Sequence, residues 1–464
     1  MKAPPMIRSA VSMLAAAMLA ACSMIPRYER PAAPVPGNWP YPAAVTGVAP
    51  SELAWDRFFT DGKLKQLIGI AIANNRDLRV AVLNIEQARA QYGIRRADRF
   101  PSVGVAVTGS RTPTSSGSEA SAYTAGLAVT AWEIDLFGRV ASLSEAALAQ
   151  FFATEEGRKA AQISLVSAVA NAWLGLVADD ELLKLTADTV KTREESQRLT
   201  KLRFDNGAAS ELDFRQAQSL AESARVTFAQ LTRQRAVDLN ALALLLGQPV
   251  PADFQVPPTT EAITLPDVPA GTPSDVLVRR PDVRQAEQQL IAANANIGAA
   301  RAAFFPRITL TAGVGSASSE LSGLFKGGSW GWTAAPQMLL PIFDAGRNSA
   351  GLASANVQRD IAVAQYEKAI QTAFREVADA LAGRATFTDQ LQAQRTVAEA
   401  EGVRYKLSEL RYTNGVSSYL DLLDAQRSLF AAQQALVTTR LQGLQNQVLL
   451  YKALGGGWVQ SPGG

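Results

Sequence analysis

Two aspartates, Asp421 and Asp424, stand three residues apart in the stretch Tyr419-Leu420-Asp421-Leu422-Leu423-Asp424. On a helix that spacing puts both carboxylates on one face. Paired carboxylates can divide acid and base roles, as in glycoside hydrolysis. Repeated around a symmetry axis, they would instead form a narrow electronegative ring that favours cations and raises some of its own pKa values by like-charge repulsion. The plainer reading is two acids on a first turn, where they stabilise a helix N-terminus. Much other chemistry is excluded. The 464 residues contain no His and a single Cys, Cys22, which rules out Ser-His-Asp and Cys-His sites, His-based metal sites and an intrachain disulfide. No cofactor is implied, and four of the six Met lie in the first 21 residues, so no metal-binding ladder is visible. The formal charge is +3. Two of the positives, Lys2 and Arg8, sit at the N-terminus, and no basic patch argues for nucleic acid.

The stretch that carries the two acids has a partner. Residues 411–426 agree with residues 203–218 at half of the sixteen positions. Each copy has a helix-stop pair, Asn206-Gly207 or Asn414-Gly415, then a Ser (Ser210, Ser418) where a helix can restart. Both read as tips of helical hairpins. The first tip has Phe214, Arg215 and Gln216 where the second has Leu422, Leu423 and Asp424, so the acidic pair belongs to the second copy alone.

Residues 1–21 combine a basic start with an apolar run too short to span a bilayer, the pattern of a signal peptide. Leu19-Ala20-Ala21-Cys22 resembles a lipoprotein cleavage box, which would make Cys22 an acylated N-terminus; Ser23 after it points to the outer membrane. Residues 22–72 read as a tether and a short segment in which Ser51 caps a helix containing Leu53, Trp55 and Phe58. A first repeat spans 73–247: a helix to about Arg99, a β-hairpin over 102–135, and a long helical hairpin over 138–247. In the hairpin, Val103, Val105 and Val107 alternate with small residues, as do Tyr123, Ala125, Leu127 and Val129. The heptad line Val169, Leu176, Leu183, Val190, Gln197, Phe204 predicts a helix packed in coiled-coil fashion, roughly 100 Å long at 1.5 Å per residue. After a Pro-rich linker, 248–275, the programme repeats over 276–455, with a β-hairpin at 307–343, a helical hairpin at 345–455 and a tail at 456–464. Residues 282–306 match 77–101 at ten of twenty-five positions, which identifies an internal duplication.

Strands that alternate an apolar face with a Gly/Thr/Ser face, flanked by aromatics such as Tyr123, Trp330 and Trp332, carry the signature of an outer-membrane barrel. Four strands are too few to close one, since known single-chain barrels start at about eight, and lipid forbids an open sheet edge. In the membrane the chain must therefore oligomerise: two copies give eight strands, three give twelve. The alternative is a soluble protein whose hairpins pack on its own helices.

The element order, the Phe100-Pro101 and Phe305-Pro306 junctions, the Gly138-Arg139 and Gly346-Arg347 junctions, and Leu277-Val278-Arg279-Arg280-Pro281-Asp282-Val283 together resemble the outer-membrane efflux protein family. They are most similar to its NodT/OprM lipoprotein branch, with TolC as a more distant cousin. The resemblance covers the chain beyond the leader. It implies a mixed α and β membrane protein: a homotrimer with a twelve-stranded barrel continuous with a periplasmic α-helical barrel. The implied partners are a periplasmic adaptor, an inner-membrane RND-type transporter and outer-membrane lipids. By match of motif, Leu420, Asp421 and Asp424 fall where similar proteins narrow the duct. Arg411 and Tyr412 match residues that hold the closed state, with Asp205 and Asp213 as candidate partners. A type I protein-secretion duct, a carboxylate-dependent periplasmic enzyme and an inert coiled-coil scaffold are the competing readings.

Overall fold

The computed structural model describes residues 23–41, 50–113, 117, 119–251, 254–271 and 273–459; the expected signal peptide and lipidation site, Cys22, lie outside them. In chain order the elements are α1 (Trp55–Phe58), α2 (Gly62–Asn74), α3 (Arg76–Ala97), β1 (Val103–Pro113), β2 (Glu119–Glu133), α4 (Arg139–Asp205), α5 (Glu211–Leu246), α6 (Pro273–Arg279), α7 (Pro281–Ala302), β3 (Arg307–Ser318), β4 (Trp330–Leu339), α8 (Arg347–Thr413) and α9 (Tyr419–Ala453). Short 3-10 turns occur at Thr260–Ala262 and Leu321–Gly323. Two compact units form, each drawing on both halves of the duplication.

The first unit holds residues up to Ala32, Leu83–Glu155 and Gln285–Lys368. Its strands form one antiparallel sheet in the order β1-β2-β3-β4, so the two hairpins expected separately are fused through β2 and β3. The seam is set by glycine: Gly126 faces Gly315, and a Cβ on either would collide with a backbone carbonyl oxygen of the other strand. Only two residues without side chains allow that approach. Where the strands hand over to the long helices, the carboxylate of Asp135 accepts from Ala141 N at 2.7 Å, and that of Asp344 from Gly346 N at 3.0 Å and Asn348 N at 2.9 Å. Each junction thus satisfies amides of a first helical turn that have no intrahelical acceptor.

The second unit contains Ala33–Val82, Glu156–Arg284 and the chain from Ala369. Its core gathers Trp55, Phe58, Phe59, Ile68, Trp173, Leu246, Leu381 and Tyr451, with the Phe58 and Tyr451 rings stacked at 3.9 Å. Ser51 does not cap a helix: α1 begins after Ala54, with no side-chain cap. Asp61 caps α2 instead, accepting from Leu64 N at 2.8 Å. The Pro-rich stretch is packed down, because Val250, Phe254, Ile263 and Leu265 lie against the core and the Glu181 carboxylate takes both Thr260 N (2.7 Å) and Thr260 Oγ1 (2.8 Å). The Arg-Arg-Pro-Asp-Val motif is structural. Buried Arg280 donates to Asp282 at 2.6 and 3.0 Å, to Glu376 at 2.7 Å and to the Ala453 carbonyl at 2.7 Å. Burial works against its charge, and those carboxylates outweigh it, raising its pKa.

Candidate functional site

Two surfaces of the chain bear on function: the sheet of the first unit and the helical tips of the second. In an antiparallel sheet, residues directly opposite one another share a face. One face carries the rows Val105–Leu127–Val314–Trp332, Val107–Ala125–Ser316–Trp330 and Val103–Val129–Ala312–Ala334. Val105 and Trp332 are 79% and 73% exposed, so nothing among the described residues covers this apolar face. Tyr123 shares it, opposite Gly109 and Ser318. Exposed Phe100, Ile342 and Phe343 lie just outside the strand ends at the helix junctions; Ile342 and Phe343 were not singled out from sequence. The opposite face presents Gly104–Ala128–Gly313–Thr333, Ala106–Gly126–Gly315–Gly331 and Thr108–Thr124–Ala317, small throughout, with threonines in two of the rows. Both edge strands, β1 and β4, have a free side. The alternative of hairpins packed on the chain's own helices is excluded by this exposure. Among the described residues one helix, α4, has a window apolar enough to cross a bilayer, but 61% of that window is buried in the protein.

The duplication is filled once and left open once. Helix α7 buries Leu290, Ala293 and Ile297, and Gly298 lies so near α4 that a Cβ would meet Ser142 Oγ at 2.6 Å. Its counterpart α3 leaves Val80, Leu83 and Ile94 exposed, and Gly93, which aligns with Gly298, has nothing within 4 Å. The first turns of α4 bury Ala149 and Ala153, whereas the equivalent Val357 and Ile361 of α8 are exposed.

At the tips, both helix ends close in the same way. Gly207 (φ 72°) and Gly415 (φ 73°) adopt the left-handed conformation, and Ala208 N and Val416 N donate back to the Arg203 and Arg411 carbonyls at 2.7 and 2.8 Å, a Schellman arrangement. Ser210 with Asp213, and Ser418 with Asp421, then form matching capping boxes. This separates the two acids. Asp421 is the copy of Asp213, and its carboxylate is turned back onto Ser418 N (3.1 Å) and Ser418 Oγ (2.9 Å). Asp424, which replaces Gln216, pairs with Arg404 of α8. Leu420 stands 54% exposed, while Leu422 and Leu423 are buried with Tyr419, Ala217 and Leu220.

Within one chain, Arg411 and Tyr412 do not bond to Asp205 or Asp213 among the described residues. Asp205 pairs with Lys201 at 2.7 Å, one turn back on its own helix, and Asp213 is held in its capping box. The Tyr412 hydroxyl accepts from Arg203 Nη1 at 2.6 Å, with that guanidinium 5.4 Å from the ring centroid. Burial pushes the Tyr412 hydroxyl up; Arg203 opposes and nearby Asp213 adds. Among the described residues the Arg411 side chain has no hydrogen bond or ion pair. A second link joins Ser196 Oγ to Tyr419 Oη at 2.9 Å. Arg203, Arg404, Ser196 and Tyr419 were not singled out from sequence; Arg203 and Tyr419 lay inside the quoted stretches, but nothing there names their partners across helices.

Farther along the α4–α5 hairpin, Arg235 grips Asp180 beside buried Asp179. Burial first, then a hydrogen bond with Asp238 and the charges of Asp238 and Asp180, push Asp179 up to about 7, against the pull of Arg235. No cluster that could hold a metal occurs among the described residues.

A family model described as outer membrane efflux protein matches residues 67–248 and 272–456. The chain belongs to that family. It is 50% identical to the antibiotic efflux pump outer membrane protein ArpC of Pseudomonas putida, over 99% of this chain and 97% of that one. It is equally identical, with the same coverage, to the toluene efflux pump outer membrane protein TtgC of the same species. Among solved structures it is similar to the open state of the MtrE outer membrane channel of Neisseria gonorrhoeae, with a TM-score of 0.87 and 41% identity over 94% of this chain and 99% of that one. The outer membrane efflux family is one of transport ducts, and the chain is a transport component rather than an enzyme.

Proposed function

We propose that the protein is the exit duct of a tripartite efflux pump. Three copies join their sheets into a twelve-stranded barrel in the outer membrane of a Gram-negative bacterium. Small molecules delivered by an RND-type inner-membrane transporter and a periplasmic adaptor pass through it without being chemically altered. The observation that carries this reading is the sheet: two open edges, an uncovered apolar face and an opposite face of small residues and threonines. Lipid tolerates such a sheet only once its edges are paired, and the opposite face then lines water.

The unfilled helix contact supports closure by further copies of the same chain. If α8 of one copy meets α3 of the next as α4 meets α7 within a chain, the contact is head-to-tail, and such contacts close into a ring when the rotation between copies divides the circle. The number three comes from the family resemblance. Relatives of equal identity named for an antibiotic pump and a toluene pump favour efflux over protein secretion, and they suggest that the duct itself does not choose the cargo.

Two further assignments belong to the proposal. Cys22 carries the lipid anchor: residues 24–30 run along α7, with Met24 O accepting from Arg301 at 3.4 Å, Pro26 O from Asn294 at 2.8 Å, and Arg30 bound to Glu287 at 2.6 and 3.0 Å. That path leads the N-terminal end toward the start of β3, where acyl chains would enter the bilayer. The second tip is the gate. Asp424 and Leu420 line it, Asp421 supports it as a cap, and the Arg203–Tyr412 and Arg404–Asp424 contacts latch it. Migration of the purified protein as a heat-modifiable trimer, and ion conductance across a planar bilayer, test the proposal; a monomer that forms no pore would refute it.

A further inference from the structure

Among the described residues the buried arginines are Arg193, at 5% exposure, and Arg280, at 6%. Arg280 is compensated by two carboxylates; Arg193 has none. Its Nη1 donates to the Leu220 carbonyl at 3.3 Å, and its guanidinium lies 4.9 Å from the Phe430 ring centroid. Its Nε is buried and unpartnered, and no bond to Nη2 occurs among the described residues. The edge that a carboxylate would grip with two parallel hydrogen bonds is therefore unused. Arg427 adds a second positive charge nearby, and burial followed by that charge lowers the Arg193 pKa. A buried, uncompensated cation is costly to maintain.

The side chain lines a cleft of about 300 Å³ with Leu185, Asp188, Tyr405, Leu429 and Phe430; among the described residues no ion pair joins Asp188 to Arg193. Arg193 therefore offers an unused forked cation beside apolar walls, which together fit an organic anion. We propose that it is a binding site for small aromatic or aliphatic carboxylates, whose anionic head takes the Nε/Nη2 edge of Arg193 while the apolar body rests against Tyr405, Leu429 and Phe430. An occupant would bridge α4 to α8 and α9.

Equilibrium dialysis of radiolabelled benzoate against the detergent-solubilised full-length protein, with protein-free micelles as the reference, tests the site. The expected result is one benzoate per chain above the micelle background. Benzamide, which has the same shape without the charge, should compete at least about ten-fold more weakly. Arg193→Met should abolish the binding without loss of the oligomer, and Phe430→Leu should weaken it. Should Arg193→Met fail to assemble, the benzoate-to-benzamide ratio on the unaltered protein still decides. No binding above micelles, equal competition by benzamide, or full binding by an assembled Arg193→Met protein would overturn the proposal.

Discussion

Gly93→Leu should act in opposite directions on the chain and on its assembly. Within one chain, Gly93 has nothing within 4 Å and sits inside the helix Arg76–Ala97. Replacing a helical glycine there gains about 0.5–1 kcal/mol of helix stability. In the proposed assembly, Gly93 would take the role that Gly298 plays inside the chain, where a single added carbon meets Ile25 Cγ1 and Ser142 Oγ at 2.6 Å. The residue equivalent to Ser142 in α8 is Ala350, which is smaller, so in that contact Leu rather than Ala would be needed to fill and overfill the space. Overpacking costs about 1–3 kcal/mol at each contact. A closed ring of three repeats that cost three times, so trimer formation should fall by at least about a hundred-fold at 1.4 kcal/mol per ten-fold. Unheated gel electrophoresis and light scattering read the oligomer, and circular dichroism reads the helices. Monomers of full helicity are expected. Intact trimers of normal stability would refute the head-to-tail contact.

Other outcomes follow from the same structure. Tyr412→Phe removes the 2.6 Å bond from Arg203 while keeping the ring; at about 1 kcal/mol for a partly exposed charged bond, open probability in bilayers should rise several-fold, and Arg203→Gln should add little to it. Asp424→Asn should reduce cation selectivity, whereas Asp421→Asn should act mainly on the helix end, at roughly 0.5–2 kcal/mol of stability. Folded Asp179 holds its proton to about pH 7, against 3.8 for the unperturbed group. Its stabilising contribution is therefore fully present below about pH 4 and is lost as pH rises through 7. Helix melting followed by circular dichroism should show that decline in the unaltered protein and a much flatter profile in Asp179→Asn. Cys22→Ser should abolish metabolic labelling with palmitate.

Much of this fold was legible because it is written in period and punctuation. Alternation gave all four strands, the uninterrupted run from Gly138 gave α4, and Asn-Gly followed by Ser gave both tips. The capping role of Asp213 and Asp421 was available too, as an acid three residues after Ser in both copies. Helix α2, capped by Asp61, was passed over because a 13-residue amphipathic stretch lay between two more conspicuous ones. The fusion of the hairpins depended on Gly126 meeting Gly315 across 189 residues of sequence; glycine at mid-strand in each hairpin was the available sign. Pairings such as Arg404 with Asp424 or Arg203 with Tyr412 depend on how four helices pass one another, which no local pattern records. That is why Asp205 and Asp213 were named as candidates and Arg203 was not.

Planar-bilayer recording on the purified protein tests the central claim most directly. The account predicts a passive pore that needs no energy source, conducts cations in preference to anions, and opens more readily when Tyr412→Phe loosens the tip. A protein that inserts as a trimer yet passes no current, even with the Tyr412 and Arg404 contacts both removed, would contradict it.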